Sequence, residues 1–474
     1  MSKTTRNLLL GLGALVILIG VMLLLQYAGT DNADDPSSGT TSTEFISLYE
    51  LKKTKLDTVV IENTTGSYQF NKSGEDSFSI AKFDGLDVKT DAIDSQIGTA
   101  LSLKANEVIE ESATNLAQYG LVNAQAVVTL LQSDAEAVSF SVGDKAADGT
   151  GYYLAMKDET KVYLVSSTYV SGYLKAETDY LNLSVVPAAT EDEPVTVSQL
   201  TLHRADLAKP ITLVADKDES EAATYSSGYR ITSPVEAQMK TSDEATAFLN
   251  GLIGLTADKA VTANPTEEAL ASAGLTEPTA TLLVQTDTTR YEFLIGDALP
   301  DGSGMRYGML TGKNVLFAFA ESSLPWLTTG ARDIMSTLIV TPFIYNLSSL
   351  EVTIGSRKEV FAVEGEDNDT AVFTHNGQAL DGDLFRSFYQ FVVSVPAEEI
   401  NEDVPQGNPV ASFRYVYDDA AKGAELVEFY DGGTRSLIIS LNGKPYYRVR
   451  TAYLDRLEGN LDNLLAGEEM IENW

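Results

Sequence analysis

The residues best equipped for chemistry form a short glycine–aspartate constellation that occurs twice. It reads Gly143-Asp144…Asp148-Gly149-Thr150-Gly151 and returns as Gly296-Asp297…Asp301-Gly302-Ser303-Gly304. Carboxylates separated by glycine could hold a hard cation. A calcium loop of the EF-hand kind, however, needs oxygen ligands at alternate positions and a closing bidentate glutamate, and neither is present. The same residues suit a hairpin connection, because glycine supplies positive φ and aspartate bonds its own backbone. In a weaker third copy, Glu428 and Gly432 fall where the aspartates would be, which favours the hairpin.

His203 and His375 are the 2 histidines of the chain. They stand at non-matching repeat positions, so a shared metal site or a Ser-His-Asp triad is not expected, and both read as surface residues. The phosphate-loop pattern G-x-x-x-x-G-K-[ST] and the nucleophile elbow G-x-S-x-G are missing. Carboxylates are too numerous for any pair to stand out for glycoside hydrolysis. Tyr152, Tyr153, Tyr446 and Tyr447 lie in strand patterns, and alternation should place one of each pair in the core and one on the surface. The Gly120-Leu121 and Gly274-Leu275 turns read as helix C-caps and core anchors. No catalytic, cofactor-binding or metal-ligating residue is assigned, and no cofactor is expected.

Positioning elements follow from the repeat. Leu116-Ala-Gln-Tyr-Gly-Leu121 aligns with Leu270-Ala-Ser-Ala-Gly-Leu275, and after a one-residue slip Val142–Leu174 matches Ile295–Leu327 without a gap, at an offset of 153 (295 less 142). A third copy aligns Asn408-Pro409-Val410-Ala411 with Glu277-Pro278-Thr279-Ala280, an offset of 131 (408 less 277). Repetition at a fixed period points to tandem structural units. A chain of 474 residues has room for about three domains of roughly 150 residues.

Each unit reads as strands, one helix, and a four-stranded meander closed by a second helix. In the first, Leu56–Ile61 opens the strands and Thr90 caps a helix carrying Ile93, Ile97 and Leu101. In the second, Thr241 and Glu244 read as a capping box ahead of Phe248, Leu249, Leu252 and Ile253. In the third, the helix carries Leu384, Phe385, Phe388 and Val392, and a last amphipathic helix holds Leu454, Leu457, Leu461 and Leu464. The expected class is α+β: tandem repeated units of antiparallel sheet with one or two helices each, one sheet face covered by helix and the other wetted.

Before the units, Lys3 and Arg6 precede an apolar run over Leu8–Leu25, broken only by glycines, and Asp31, Asp34 and Asp35 follow it. That length approaches the roughly 20 residues of a bilayer span and exceeds the apolar core of a cleavable signal, about 7–15 residues. The expected organisation is a cytoplasmic N-terminus at 1–7, a single transmembrane signal anchor at 8–28 and a flexible linker at 29–44. Repeat units follow at 45–188, 189–345 and 346–474, the last divergent. The bulk of the chain is then extracytoplasmic, held at the cell membrane through residues 8–28.

Composition narrows the partners. The chain has 33 Lys+Arg against 68 Asp+Glu, a net charge of −35. Such a surface repels nucleic acid, which needs clustered Lys and Arg. Cysteine is absent, which removes disulfides, thiolate nucleophiles, Cys-ligated zinc and a lipoprotein anchor.

The recurring motifs Tyr119-Gly120-Leu121, Val142-Gly143-Asp144 and Gly151-Tyr152-Tyr153, with Ala273-Gly274-Leu275-Thr276-Glu277-Pro278 and Ile295-Gly296-Asp297, resemble the domain of unknown function 4340 family. The resemblance covers about residues 45–335 well and the third unit loosely. Members of that family are often encoded beside ABC transporters resembling the gliding-motility type. The resemblance thus implies a membrane-anchored accessory protein whose partners are permease and ATPase subunits. The residues themselves support a non-enzymatic protein-interaction role, with binding of an envelope polymer or small ligand as the alternative.

Overall fold

The computed structural model describes residues 45–216, 227–340 and 342–471. The expected N-terminal anchor and linker lie outside the described residues. Within them, no helix is long and apolar enough to cross a membrane.

The first unit comprises β1 (Ile46–Glu50), β2 (Leu56–Asn63), β3 (Gly66–Lys72), β4 (Phe78–Ser79), α1 (Thr90–Ala100), β5 (Ser102–Ala105), β6 (Glu107–Glu110), β7 (Ala126–Gln132), β8 (Val138–Lys145), β9 (Gly151–Met156), β10 (Val162–Ser166) and α2 (Ser167–Val170). The second runs through β11 (Val197–Arg204), β12 (Ile211–Ala215), β13 (Tyr229–Ser233), β14 (Ala237–Gln238), α3 (Asp243–Asn250), β15 (Lys259–Ala263), α4 (Glu267–Ser272), β16 (Ala280–Thr286), β17 (Arg290–Ala298), β18 (Met305–Leu310), β19 (Val315–Ala320) and α5 (Ala331–Ile334). The third holds β20 (Leu347–Ile354), β21 (Arg357–Glu364), β22 (Val372–His375), β23 (Gln378–Ala379), α6 (Gly382–Val393), β24 (Glu399–Ile400), β25 (Ala411–Tyr417), β26 (Ala424–Asp431), β27 (Ser436–Leu441), β28 (Lys444–Arg450) and α7 (Ala452–Ala466).

Each unit builds one large antiparallel sheet, the first having a separate two-stranded β1-β5 sheet as well, and the second and third are identical in order, β14-β13-β12-β11-β16-β17-β18-β19-β15 and β23-β22-β21-β20-β25-β26-β27-β28-β24. The first, β4-β3-β2-β7-β8-β9-β10-β6, follows the same path. The opening strands run out to one edge. The helix then carries the chain across a sheet face, and the strand after it pairs at the far edge with the last strand of the meander. That crossover explains why the helix needs a single apolar stripe: Ile93, Gln96, Ile97 and Ala100 of α1 are buried. Eleven residues make a helix of about 16 Å, while eight strands span about 34 Å. The remaining width is covered by the segment after the meander, where Val170 and Tyr173 are buried. In the third unit the 15-residue α7 does that work through Tyr453, Leu457, Leu461 and Leu464.

The expected helix starts need adjustment. The α3 N-cap is Ser242, whose hydroxyl accepts from the Ala245 N–H at 3.1 Å, rather than Thr241. Thr90 is itself the first helical residue of α1 and Lys89 precedes it without a side-chain cap.

A single cluster of buried side chains runs from Leu56 to Leu464 through all three units. Backbone pairing carries the chain between the first two: the Val185 N–H donates to Leu255 O at 2.8 Å and the Ala257 N–H to Leu183 O at 2.8 Å. This is the position that β1 occupies in the first unit, where Ile46 pairs with Ala105 and Tyr49 with Leu103. In both units the incoming segment thus satisfies the exposed backbone of the stretch following the helix. Between the second and third units, Arg332 donates to Ala397 O at 2.7 Å and to Glu398 O at 3.2 Å, its guanidinium over the Tyr447 ring.

Candidate functional site

The duplicated motif is a clasp. In the first unit the turn Leu116–Tyr119, ended by Gly120 at φ 68°, folds onto the sheet face opposite α1. Leu121, Ala155 and Val162 form a small second core there, with Tyr119 against Tyr153. In the second unit α4, Ala273 and Leu275 pack in the same way over Leu316. In these two units part of the face expected to be wetted is therefore covered.

Two glycines make the approach possible. A Cβ on Gly143 would lie 2.1 Å from Tyr119 O, and one on Gly296 would lie 2.0 Å from Ala273 O. From the other side, a Cβ on Gly120 would meet the Asp144 carboxylate and one on Gly274 that of Asp297. The Asp297 N–H closes the clasp by donating to Ala273 O at 2.9 Å.

The second aspartate of each motif is separate from the clasp. The Asp148 carboxylate accepts from the Thr150 N–H at 3.0 Å and its hydroxyl at 2.7 Å. Asp301 accepts from the Ser303 N–H at 3.0 Å. Hydrogen bonds to Thr150 and to Ser303 hold these carboxyls below their ordinary range. The two aspartates of a motif thus face different backbone partners. Among the described residues no group of three or more His, Cys, Asp or Glu could hold a metal ion.

The third copy is in a different register from the one expected. Its strands pair Ala411 with Phe429 as the second unit pairs Ala280 with Ile295. Tyr430 and Asp431 therefore stand where Gly296 and Asp297 do, so the residue at the Asp297 position is Asp431 rather than Glu428, and the Asp301 position moves past Gly432. The hairpin between Tyr417 and Ala424 is three residues longer than that between Thr286 and Arg290 (six against three), which shifts everything after it. A tyrosine is tolerated at the glycine position because the segment before β25 forms no clasp helix.

The histidines also separate. His203 is exposed, as expected, and lies within β11. His375 is largely buried, with Nε2 2.7 Å from Glu359 Oε2, while Arg357 bridges Glu359 at 2.9 Å and Asp462 of α7 at 2.7 Å. His375 is thus no free surface residue but part of the contact between sheet edge and C-terminal helix. Arg357 first, and His375 after it, hold the Glu359 carboxyl below its usual range.

The tyrosine pairs depart from simple alternation. Tyr446 and Tyr447 are both buried, the Tyr447 hydroxyl donating to Ser336 O at 2.8 Å. The junction with the second unit covers the side that alternation alone would leave to solvent. Burial raises the Tyr447 phenol to about 12 despite the neighbouring Arg332. Tyr152 and Tyr153 are both half-buried.

A pair of equivalent residues escaped sequence reasoning because their types differ. Asn63 and Arg204 occupy one register position, opposite Ala126 and Ala280 respectively. Asn63 Nδ2 donates to Tyr173 O and Lys175 O at 2.9 and 2.7 Å. Arg204 Nη1 donates to Trp326 O and Thr329 O at 2.7 and 3.0 Å. Both pin the segment after the meander.

The third sheet carries a concavity of about 420 Å³ on its helix-free face, lined by Glu351, Thr353, Lys358, Ser412, Arg414 and Glu428, with Ala424 and Leu426. Lys358 pairs with Glu351 at 2.9 Å. Glu428 accepts from the hydroxyls of Tyr430 and Ser440 at 3.1 and 3.3 Å.

No curated protein and no solved structure matches the chain. One family pattern does, over residues 79–252 and again over 229–395. Both matches begin in the outer strands of one sheet and end just past the helix of the next unit, so each crosses a junction between units. Together they span residues 79–395 of 474, and the chain belongs to the family described as domain of unknown function (DUF4340).

Proposed function

We propose that the protein is a membrane-anchored extracytoplasmic interaction component, non-enzymatic and accessory to an ABC-type transporter or envelope complex. The observation that carries this reading is where the duplicated motif goes. Gly143, Gly151 and Gly296 are taken up in close backbone approaches, Gly149, Gly302 and Gly304 in positive-φ turns, and Asp148 and Asp301 in turns. One core joins the three units, which suits a scaffold that presents surfaces in fixed relation. The apolar run Leu8–Leu25 supports the anchor at residues 8–28, and the family resemblance supports the transporter.

The test is affinity purification of the full-length protein from gently solubilised native membranes, with mass spectrometry of the recovered proteins. Stoichiometric permease and ATPase subunits are expected, lost when Leu8–Leu25 or the third unit is replaced. Recovery of the protein alone would overturn the reading.

The alternative, an extracytoplasmic binding module for envelope polymer or a small ligand, is favoured by the concavity on the third sheet. It gains no support from Tyr446 and Tyr447, which are buried away from any glycan.

A further inference from the structure

The three sheets share one fold, so each position on the third has counterparts that report what the fold alone requires. Arg414 lies between Glu351 and Leu426 on neighbouring strands. The matching triad is Leu283 between Thr201 and Glu292 in the second unit, and Thr129 between Val60 and Ser139 in the first. One pair further along, Ser412 lies between Thr353 and Glu428. Its counterparts are Thr281 between His203 and Leu294, and Val127 between Glu62 and Ser141. The third unit thus sets three permanent charges, Glu351, Arg414 and Glu428, where each of the others sets one carboxylate, and Lys358 adds a fourth. Neither of the other sheets needs this arrangement to fold.

The charges do not all neutralise one another. Lys358 and Glu351 are paired, and Glu428 is oriented by two hydroxyls. Arg414 is exposed, and no hydrogen bond or ion pair among the described residues engages it. A guanidinium without a counterion, in a chain of net charge −35, presents a planar fork that fits a carboxylate in two parallel hydrogen bonds. Glu428, on the adjacent strand and offset by one pair, can accept from an ammonium group. Residues in such a diagonal relation stand about 7–8 Å apart. Ser412 and Thr353 supply hydroxyls between them, and Leu426 an apolar wall. A simple polyanion would meet two carboxylates here, and a simple cation would meet Arg414. A ligand carrying both signs satisfies both, and the volume lies within the roughly 300–1,000 Å³ of small-molecule sites.

We propose that this face of the third unit binds a short zwitterion, an amino acid or a di- or tripeptide, its carboxylate on Arg414 and its ammonium toward Glu428. The site is independent of any transporter partnership, so it can stand or fall apart from the function proposed above.

The experiment is isothermal titration of the purified full-length protein with alanyl-alanine, its C-terminal amide and its N-acetyl form. Binding of the free dipeptide is expected. Amidation and the R414Q substitution should each weaken it about tenfold or more, as expected for loss of a charge-assisted pair. Acetylation and E428Q should do the same at the other end. R414Q protein should no longer distinguish the free dipeptide from its amide. R414K, which keeps the charge but not the fork, should fall between, and unchanged melting temperatures should show that the fold is intact. Absence of binding by the free dipeptide would overturn the proposal. So would equal affinity in R414Q, or equal affinity for the free and amidated forms.

Discussion

Replacing Gly296 by alanine tests the clasp most directly. The added Cβ would lie 2.0 Å from Ala273 O and 3.2 Å from the Leu275 side chain. The nearest atom is backbone, so the clasp must move away from β17 rather than a side chain rotate. Two losses follow. The Asp297-to-Ala273 hydrogen bond is broken, at about 0.5–1.5 kcal/mol. Leu275 gives up part of a burial worth about 1.5–3 kcal/mol when complete. Gly296→Ala should therefore cost about 1–3 kcal/mol, the usual range of overpacking penalties. Chemical denaturation gives the total, and hydrogen exchange should locate it in the amides of Leu275 and Asp297. Parental stability with unchanged protection at both amides would refute the clasp as the reason for the duplicated glycines. Gly143→Ala should behave in parallel, since its Cβ would meet Tyr119 O.

Three further outcomes are expected. Gly98, exposed on α1 with nothing within 4 Å of an added methyl, should accept alanine with a gain of about 0.5–1 kcal/mol, read as a higher denaturation midpoint. Arg332→Ala removes two hydrogen bonds across the junction and the contact with Tyr447. The third unit should then unfold or be cleaved by protease ahead of the others, whereas one concerted transition would contradict the role assigned to Arg332. Glu359 has a folded pKa below its unfolded value, so its contribution to stability is present above the unfolded value of about 4.3 and is lost as pH falls through the folded one. E359Q should be less stable than the parent at pH 7, with the difference closing below about pH 4. A pH-independent difference would show that the carboxylate's charge is not what stabilises the contact.

What was legible in the sequence is what rests on local pattern. The helical spacing of Phe385, Phe388 and Val392 and the β-branched run at Leu56–Ile61 are set by neighbours a few residues away, and each forms the expected element. The repeat was legible too, because two clasps impose the same glycines, with a one-residue difference in the stretch between them. What the glycines were for was not. Gly143 is required by a carbonyl 24 residues earlier (143 less 119), and only the folded sheet brings Tyr119 to it. The equivalence of Asn63 and Arg204 was hidden for the same reason, since a register position can be filled by any donor long enough to reach the carbonyls. The third unit shows the converse: three extra residues in one hairpin displaced its alignment, while the sheet order stayed intact. Pairing is decided by which faces must be buried, and a longer loop changes the numbering without changing those faces. The periodic pattern thus determined the units, and nonlocal backbone approach alone decided how the duplicated residues are used.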